Sequence, residues 1–160
     1  MSRKPKLLVF DLDYTLWPFW VDTHVTPPFR KKGNDVVDAH GQLIRYYKDV
    51  PEILKSLSAK YELGVASRTS EIQGAKQLLN LFNWDKYFKY KEIYPGSKVT
   101  HFSKIHLFRI QKASGIDYKD MMFFDDEQRN IVDVSKLGVK CILVKNDLTH
   151  AVVENALNNF

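Results

Sequence analysis

A single cysteine, Cys141, stands among the 160 residues, so no internal disulfide can staple this chain. It lies in the apolar run Cys141-Ile142-Leu143-Val144 and reads as a small core residue. No apolar run reaches the length of a membrane span, and Met1-Ser2-Arg3-Lys4-Pro5-Lys6 leads into the first apolar stretch without a signal-peptide core. The expectation is a cytoplasmic protein with no membrane partner. The five histidines lack the spacing of zinc ligands, and no internal repeat or low-complexity segment occurs. A clustered basic face is missing too. The net charge is +5, but the tightest basic run is Arg30-Lys31-Lys32, beside Gly33-Asn34-Asp35 in what reads as a loop. A nucleic-acid partner is therefore not expected, whereas mild basicity suits phosphorylated substrates.

What is present fits one domain spanning residues 1–160, with the 44% hydrophobic and 27% charged residues of an ordinary globular protein. Its organising stretch is Leu7-Leu8-Val9-Phe10-Asp11-Leu12-Asp13-Tyr14-Thr15-Leu16. Four apolar residues read as a strand buried on both faces, and carboxylates follow at once. Side chains alternate along an extended segment, so Asp11 and Asp13 leave the strand end on the same side. Residues 17–48 show no long periodic segment; Trp17-Pro18-Phe19-Trp20 and Thr26-Pro27-Pro28-Phe29 suggest a flap or loop excursion, its aromatics either plugging the sheet or lining a site.

Helix and strand patterns then alternate. Asp49-Val50-Pro51-Glu52 reads as a capping box opening a helix, with Ile53, Leu54 and Leu57 inward. Leu63-Gly64-Val65-Ala66 reads as a strand ending at Ser67-Arg68-Thr69-Ser70, where Ser70 and Gln73 suggest a second capping box. Ser67 and Thr69 thus sit between a strand end and a helix N-terminus, a setting for an anion. An edge strand is expected within residues 84–94. Pro95-Gly96-Ser97-Lys98 turns into a helix over about residues 100–113, with Phe102, Ile105 and either Leu107 or Phe108 inward and Gly115 as its stop. Met121-Met122-Phe123-Phe124 is a second buried strand ending in acids, Asp125-Asp126-Glu127; a helix carrying Asn130, a strand at 139–144 and a helix from Thr149 follow. The alternation predicts an α/β fold with a doubly wound, mainly parallel sheet.

If the carboxyl ends of the strands face one crevice, Asp11, Asp13, Ser67, Lys98, Asp125 and Asp126 meet there. Close carboxylates repel by about 4 kcal/mol per pair at an effective dielectric near 20, so a cation must hold them. All-oxygen ligands favour Mg²⁺. An aspartate can attack phosphorus, and a carboxyl two residues away can protonate the leaving oxygen and then activate water.

Asp11-Leu12-Asp13-Tyr14-Thr15-Leu16, Ser67, Lys98 and Asp125-Asp126 with Asn130 resemble the four motifs of the haloacid dehalogenase superfamily, in order and over nearly the whole chain. Trp17-Pro18-Phe19-Trp20, Ser67-Arg68-Thr69-Ser70-Glu71-Ile72, Ile93-Tyr94-Pro95-Gly96-Ser97-Lys98 and Phe123-Phe124-Asp125-Asp126-Glu127 are more closely similar to the eukaryotic magnesium-dependent phosphatases within it. The resemblance implies Asp11 as nucleophile and metal ligand, and Asp13 as general acid and base whose backbone carbonyl also meets Mg²⁺. It implies that Ser67 and Leu12 bind the phosphoryl group, that Lys98 neutralises charge there, and that Asp126 is a metal ligand. Thr15, Asp125 and Asn130 would support these groups from behind; Arg68 has no universal counterpart in the superfamily and is expected to contact substrate. Neither residues 17–48 nor the interval from Ser67 to Lys98 has room for a cap domain, so the expected site is open to a phosphate on a protein side chain or to a small phosphomonoester; the resemblance to capless relatives implies protein phosphotyrosine or protein-bound sugar phosphates. A monomer is expected. A receiver-like phosphoacceptor shares several of these residues, but its acceptor aspartate lies on a middle strand, where this chain has Ser67. A metal-dependent glycosyltransferase would leave Lys98 without a task.

Overall fold

The computed structural model describes residues 3–111 and 116–160, with side chains described for 3–107 and 116–160. Five strands among the described residues form one parallel sheet: β1 (Leu7–Phe10), β4 (Glu62–Ser67), β5 (Phe88–Ile93), β6 (Met121–Asp125) and β7 (Lys140–Leu143). Their order is β5-β4-β1-β6-β7, so β1 lies at the centre. The chain winds outward from β1 through β4 to β5, then returns to the other side of β1 for β6 and β7. The reversal opens a crevice beyond the ends of β1 and β6, the place where open α/β sheets hold ligands.

Side-chain alternation explains why this sheet is covered twice. Leu8 and Phe10 with Met122 and Phe124 face α1 (Val50–Ser58), α2 (Ile72–Leu81) and α5 (His150–Asn158). Leu7, Val9, Met121 and Phe123 face the other way, against α3 (Lys98–Gln111) and α4 (Gln128–Ser135). Both faces of β1 and β6 are thus dry, as continuous apolar runs require. The doubly wound parallel sheet is as the sequence predicts.

The helix entrances differ from expectation. Asp49 precedes α1 without capping it; its carboxylate accepts a hydrogen bond from the His150 N–H at 3.1 Å and ties the start of α5 to α1. Ser70 does not cap α2 either. Glu71 does, accepting from the Gly74 N–H at 3.0 Å, while the Ser70 hydroxyl donates to Asp22. Local spacing cannot foresee a distant partner that claims a capping side chain. Helix α3 begins at Lys98 itself, Phe102 and Ile105 are buried, and Leu107 is 56% exposed; Phe108 and Gly115 lie outside the described side chains.

Residues 17–48 contain a hairpin that periodicity does not reveal, β2 (Arg30–Lys32) paired with β3 (Asp35–Val37). The two-residue turn has Gly33 first, at φ 65°, the conformation that glycine supplies at that position of a II′ turn. Trp17, Phe19, Val21, Phe29, Val36 and Ile44 from this stretch are buried in the core that also contains α1 and α2. Asp38 fixes its return path. The buried carboxylate accepts from the backbone N–H groups of Thr26, His40 and Gln42 at 2.9–3.1 Å. Replacing Asp38 by Ala leaves three donors without their acceptor and is expected to cost about 2 kcal/mol, or roughly 4–8 °C in Tm. Chemical denaturation checks this; an unchanged midpoint would show that water replaces the carboxylate at no cost.

Candidate active site

Lys98, 1% exposed, is the centre of the site. Its Nζ donates to Asp11 Oδ1 at 3.0 Å, to Asp125 Oδ2 at 3.0 Å and to the Ala66 carbonyl at 2.6 Å. The three protons of the ammonium are all used, one on each of the strand ends β1, β6 and β4. Burial alone would lower the lysine pKa, but Asp11 and Asp125 outweigh it and hold the group above its usual value. Lys98 is charged.

Asp11 follows β1, and its N–H donates to the Phe124 carbonyl at 3.0 Å, which keeps the chain against β6 as it leaves the sheet. The Thr15 hydroxyl donates to Asp11 Oδ2 at 3.2 Å. Burial, then repulsion from Asp125, raise the Asp11 pKa well above the ordinary carboxylate value despite Lys98. Asp125 is fully buried and also accepts from Asn130 Nδ2 at 3.0 Å and from the Glu127 N–H at 2.9 Å. Asn130 Oδ1 in turn accepts from Arg68 Nη1 at 3.0 Å. Asp126 is less buried; burial is the main cause that raises its pKa to about 6.

Oxygen atoms of Asp11, Asp125 and Asp126 lie within 4.8 Å of one another. With Lys98 as their partner, three carboxylates leave an uncompensated charge of about minus two, and the donors are all hard oxygens. These residues fit a divalent cation of the magnesium type. One lysine is not enough.

A cavity of about 350 Å³ opens over the site, lined in part by Asp11, Asp13, Ser67, Arg68, Lys98 and Asn130. The structure thus brings these sequence-selected residues together, with Thr15 and Asp125 directly behind them. Leu12 is fully buried, and the residues that line the cavity do not include it. Ser67, at the end of β4, is buried at the cavity floor, and its Oγ accepts from the Thr69 N–H at 3.3 Å. His101 in the first turn of α3 holds this junction together: its ring nitrogens lie 2.8–2.9 Å from the carbonyl oxygens of Ser67, Tyr94 and Ser97. Trp20 lines the wall, as one of the two readings of the aromatics allows, whereas sequence reasoning did not single out Asp22, Thr23, Glu127 and Arg129 there. Asp22 and Thr23 occupy an aperiodic loop with no local signal; Arg129 could have been found from its place in the first turn after the acidic strand end.

Three adjacent parallel strands bring their ends onto one lysine, Lys98. The fold is shared by a HAD family enzyme from Bacteroides thetaiotaomicron, solved with magnesium and inorganic phosphate, with a TM-score of 0.58 and 16% identity over 87% of this chain and 93% of that one. Magnesium-dependent phosphatase 1 of Homo sapiens is 56% identical over 100% of this chain and 89% of its own length. A HAD-like hydrolase superfamily protein of Schizosaccharomyces pombe is 46% identical over 90% of this chain and 89% of its own. The acid phosphatase family matches residues 3–160, and the chain belongs to that family of enzymes.

The acidic cluster has a measurable consequence. Burial is the main cause that raises Asp13 to about 6, and Asp126 stands at about 6 as well, against 3.8 for a free side chain. A raised carboxylate pKa favours the fold while the group is protonated, and that contribution is lost as pH rises through about 6. Asp38, whose pKa is lowered by backbone donors against its burial, acts only at more acidic pH. His101, whose pKa burial lowers, favours the fold as pH rises through the same range, so the carboxylates are read through the metal instead. Millimolar Mg²⁺ is expected to raise Tm by a larger amount near pH 7, where the carboxylates are ionised, than near pH 5. Thermal melts with and without chelator check this; a metal-induced shift no larger near pH 7 than near pH 5 sinks the account.

Proposed function

We propose that this chain hydrolyses phosphoric monoesters through an aspartyl-phosphate on Asp11, with Mg²⁺ as cofactor. The observation that carries the reading is the buried ammonium of Lys98 set between Asp11 and Asp125 at the floor of an open cavity. Asp11, Asp126 and the backbone carbonyl of Asp13 would hold the metal, with Thr15, Asp125 and Asn130 orienting the groups around it. When bound, the cation supplies charge neutralisation for the carboxylates and for the phosphoryl oxygens.

The chain's own residues then divide the chemistry. Asp11 attacks phosphorus while the P–O bond to the leaving group breaks, and Asp13 gives its proton to the departing oxygen. Asp13 next takes a proton from water as that water attacks the aspartyl-phosphate, which returns Asp11 and releases phosphate. Ser67 and the Leu12 backbone bind the transferring group, and Lys98 aims the Asp11 carboxylate and favours its charged form against burial. Arg68, tethered to Asn130, contacts the rest of the substrate.

The open mouth and the absence of a cap insertion among the described residues favour a phosphate carried on a protein, as phosphotyrosine or as a protein-bound sugar phosphate. The human relative's name, magnesium-dependent phosphatase 1, agrees with the metal requirement. The single domain works as a monomer without a nucleic-acid or membrane partner, and one unpaired cysteine suits a cytoplasmic setting.

Asp11→Asn is expected to lower phosphate release from an aryl phosphate by at least about 10³-fold, and chelation to abolish it in the parent. Steady-state assays with and without Mg²⁺ check both. Full turnover in Asp11→Asn would remove the nucleophile assignment; a stable phosphoprotein without turnover in the parent would instead favour a phosphoacceptor.

A further inference from the structure

Asp13 uses its two carboxyl oxygens unequally. Oδ1 accepts from Trp17 Nε1 at 2.7 Å and from the Val21 N–H at 3.2 Å. Oδ2 has no hydrogen-bond partner among the described residues, although Asp13 lines the cavity. A carboxylic acid whose one oxygen already accepts two N–H donors cannot place its proton there without crowding three hydrogens on one atom. The proton must sit on the other oxygen.

We propose that Trp17, together with the Val21 amide, is a positioning residue that confines the transferable proton of Asp13 to Oδ2. This inference rests on Asp13 being the general acid of the proposed function. In the first step the Oδ2–H proton passes to the leaving oxygen as its bond to phosphorus breaks and the bond to Asp11 forms. In the second, Oδ2 takes the proton of the attacking water as the bond from phosphorus to Asp11 breaks.

The indole is well held for this task. Trp17 is fully buried, stacked on Phe19 with ring centroids 5.5 Å apart and on Trp84 at 6.4 Å. A backbone bond from the Tyr14 N–H to the Trp17 carbonyl at 2.7 Å closes the turn between acid and indole, and Tyr14 has φ 59°, a left-handed conformation. That turn brings the indole N–H back onto Asp13, four residues earlier. A purely structural Trp17 would need the rings but not the N–H.

The test separates the two. Trp17→Phe keeps an aromatic ring without the donor, and benzothienylalanine incorporated at position 17 keeps the bicyclic shape, so it serves if Trp17→Phe folds poorly. For each, kcat/KM is measured along a series of aryl phosphates from dinitrophenyl, which departs without a proton, to unsubstituted phenyl, which needs one. The expected result is a loss of about 10- to 100-fold for phenyl phosphate against less than about threefold for the dinitrophenyl ester. Equal losses along the series, or none with benzothienylalanine, would overturn the proposal. Asp13→Asn provides the reference. If it too shows no leaving-group dependence, the general-acid reading of Asp13 falls; if it shows a steep dependence while the Trp17 variants do not, only the positioning role falls.

Discussion

The structure turns on a buried ammonium. Lys98 Nζ binds the ends of three neighbouring strands in the order in which they lie, Ala66 of β4, Asp11 after β1 and Asp125 of β6. Removing a lysine and two carboxylates from water costs several kcal/mol per ion, so this is a poor way to stabilise a fold and a good way to specify one geometry. The parallel sheet sets the spacing of the strand ends, and α3 delivers the lysine with its first residue. His101, one turn later, faces carbonyls on both sides of the junction and so couples the start of α3 to the end of β4.

Charge balance extends the argument outward. Three carboxylates with oxygens within 4.8 Å of one another cannot be neutralised by one cation whose protons are all committed. The neighbours respond as far as neutral groups can: Thr15 donates to Asp11, and Asn130 to Asp125. Asn130 then spends its carbonyl on Arg68, so the orientation of a cavity-wall guanidinium depends on the same buried acid. What these donors leave uncompensated is suited to a divalent cation.

The sheet and the site floor were legible in the sequence because both depend on strand ends. Apolar runs followed by Asp11 and by Asp125, with Ser67 and Lys98 at the intervening junctions, identify the groups, and a parallel sheet leaves them little choice but to converge. Capping and the cavity wall were less legible. Ser70 has the spacing of a cap, but Asp22, 48 residues earlier in the chain, takes its hydroxyl. Asp49 is claimed by His150 in the same way. The hairpin in residues 30–37 is too short for a periodic signal, although Gly33-Asn34 was the turn that could have revealed it. Within residues 17–20 the two readings of the aromatics both hold: Trp17 and Phe19 fill the core, while Trp20, 47% exposed, stands at the mouth.

That last division bears on how an open site can work. In a capped enzyme, closure can bring the acid to the substrate and exclude water; here that ordering must exist beforehand. The stretch that supplies Trp20, Asp22 and Thr23 to the wall also supplies the two donors on Asp13 Oδ1. Wall and acid are therefore one mechanical piece, pinned to the core by Trp17, Phe19 and Val21. In the proposed reaction, a phosphate on a protein side chain would approach from solvent and find the Asp13 oxygen already aimed. On that reading, the burial of an otherwise irregular loop takes the place of a moving cap.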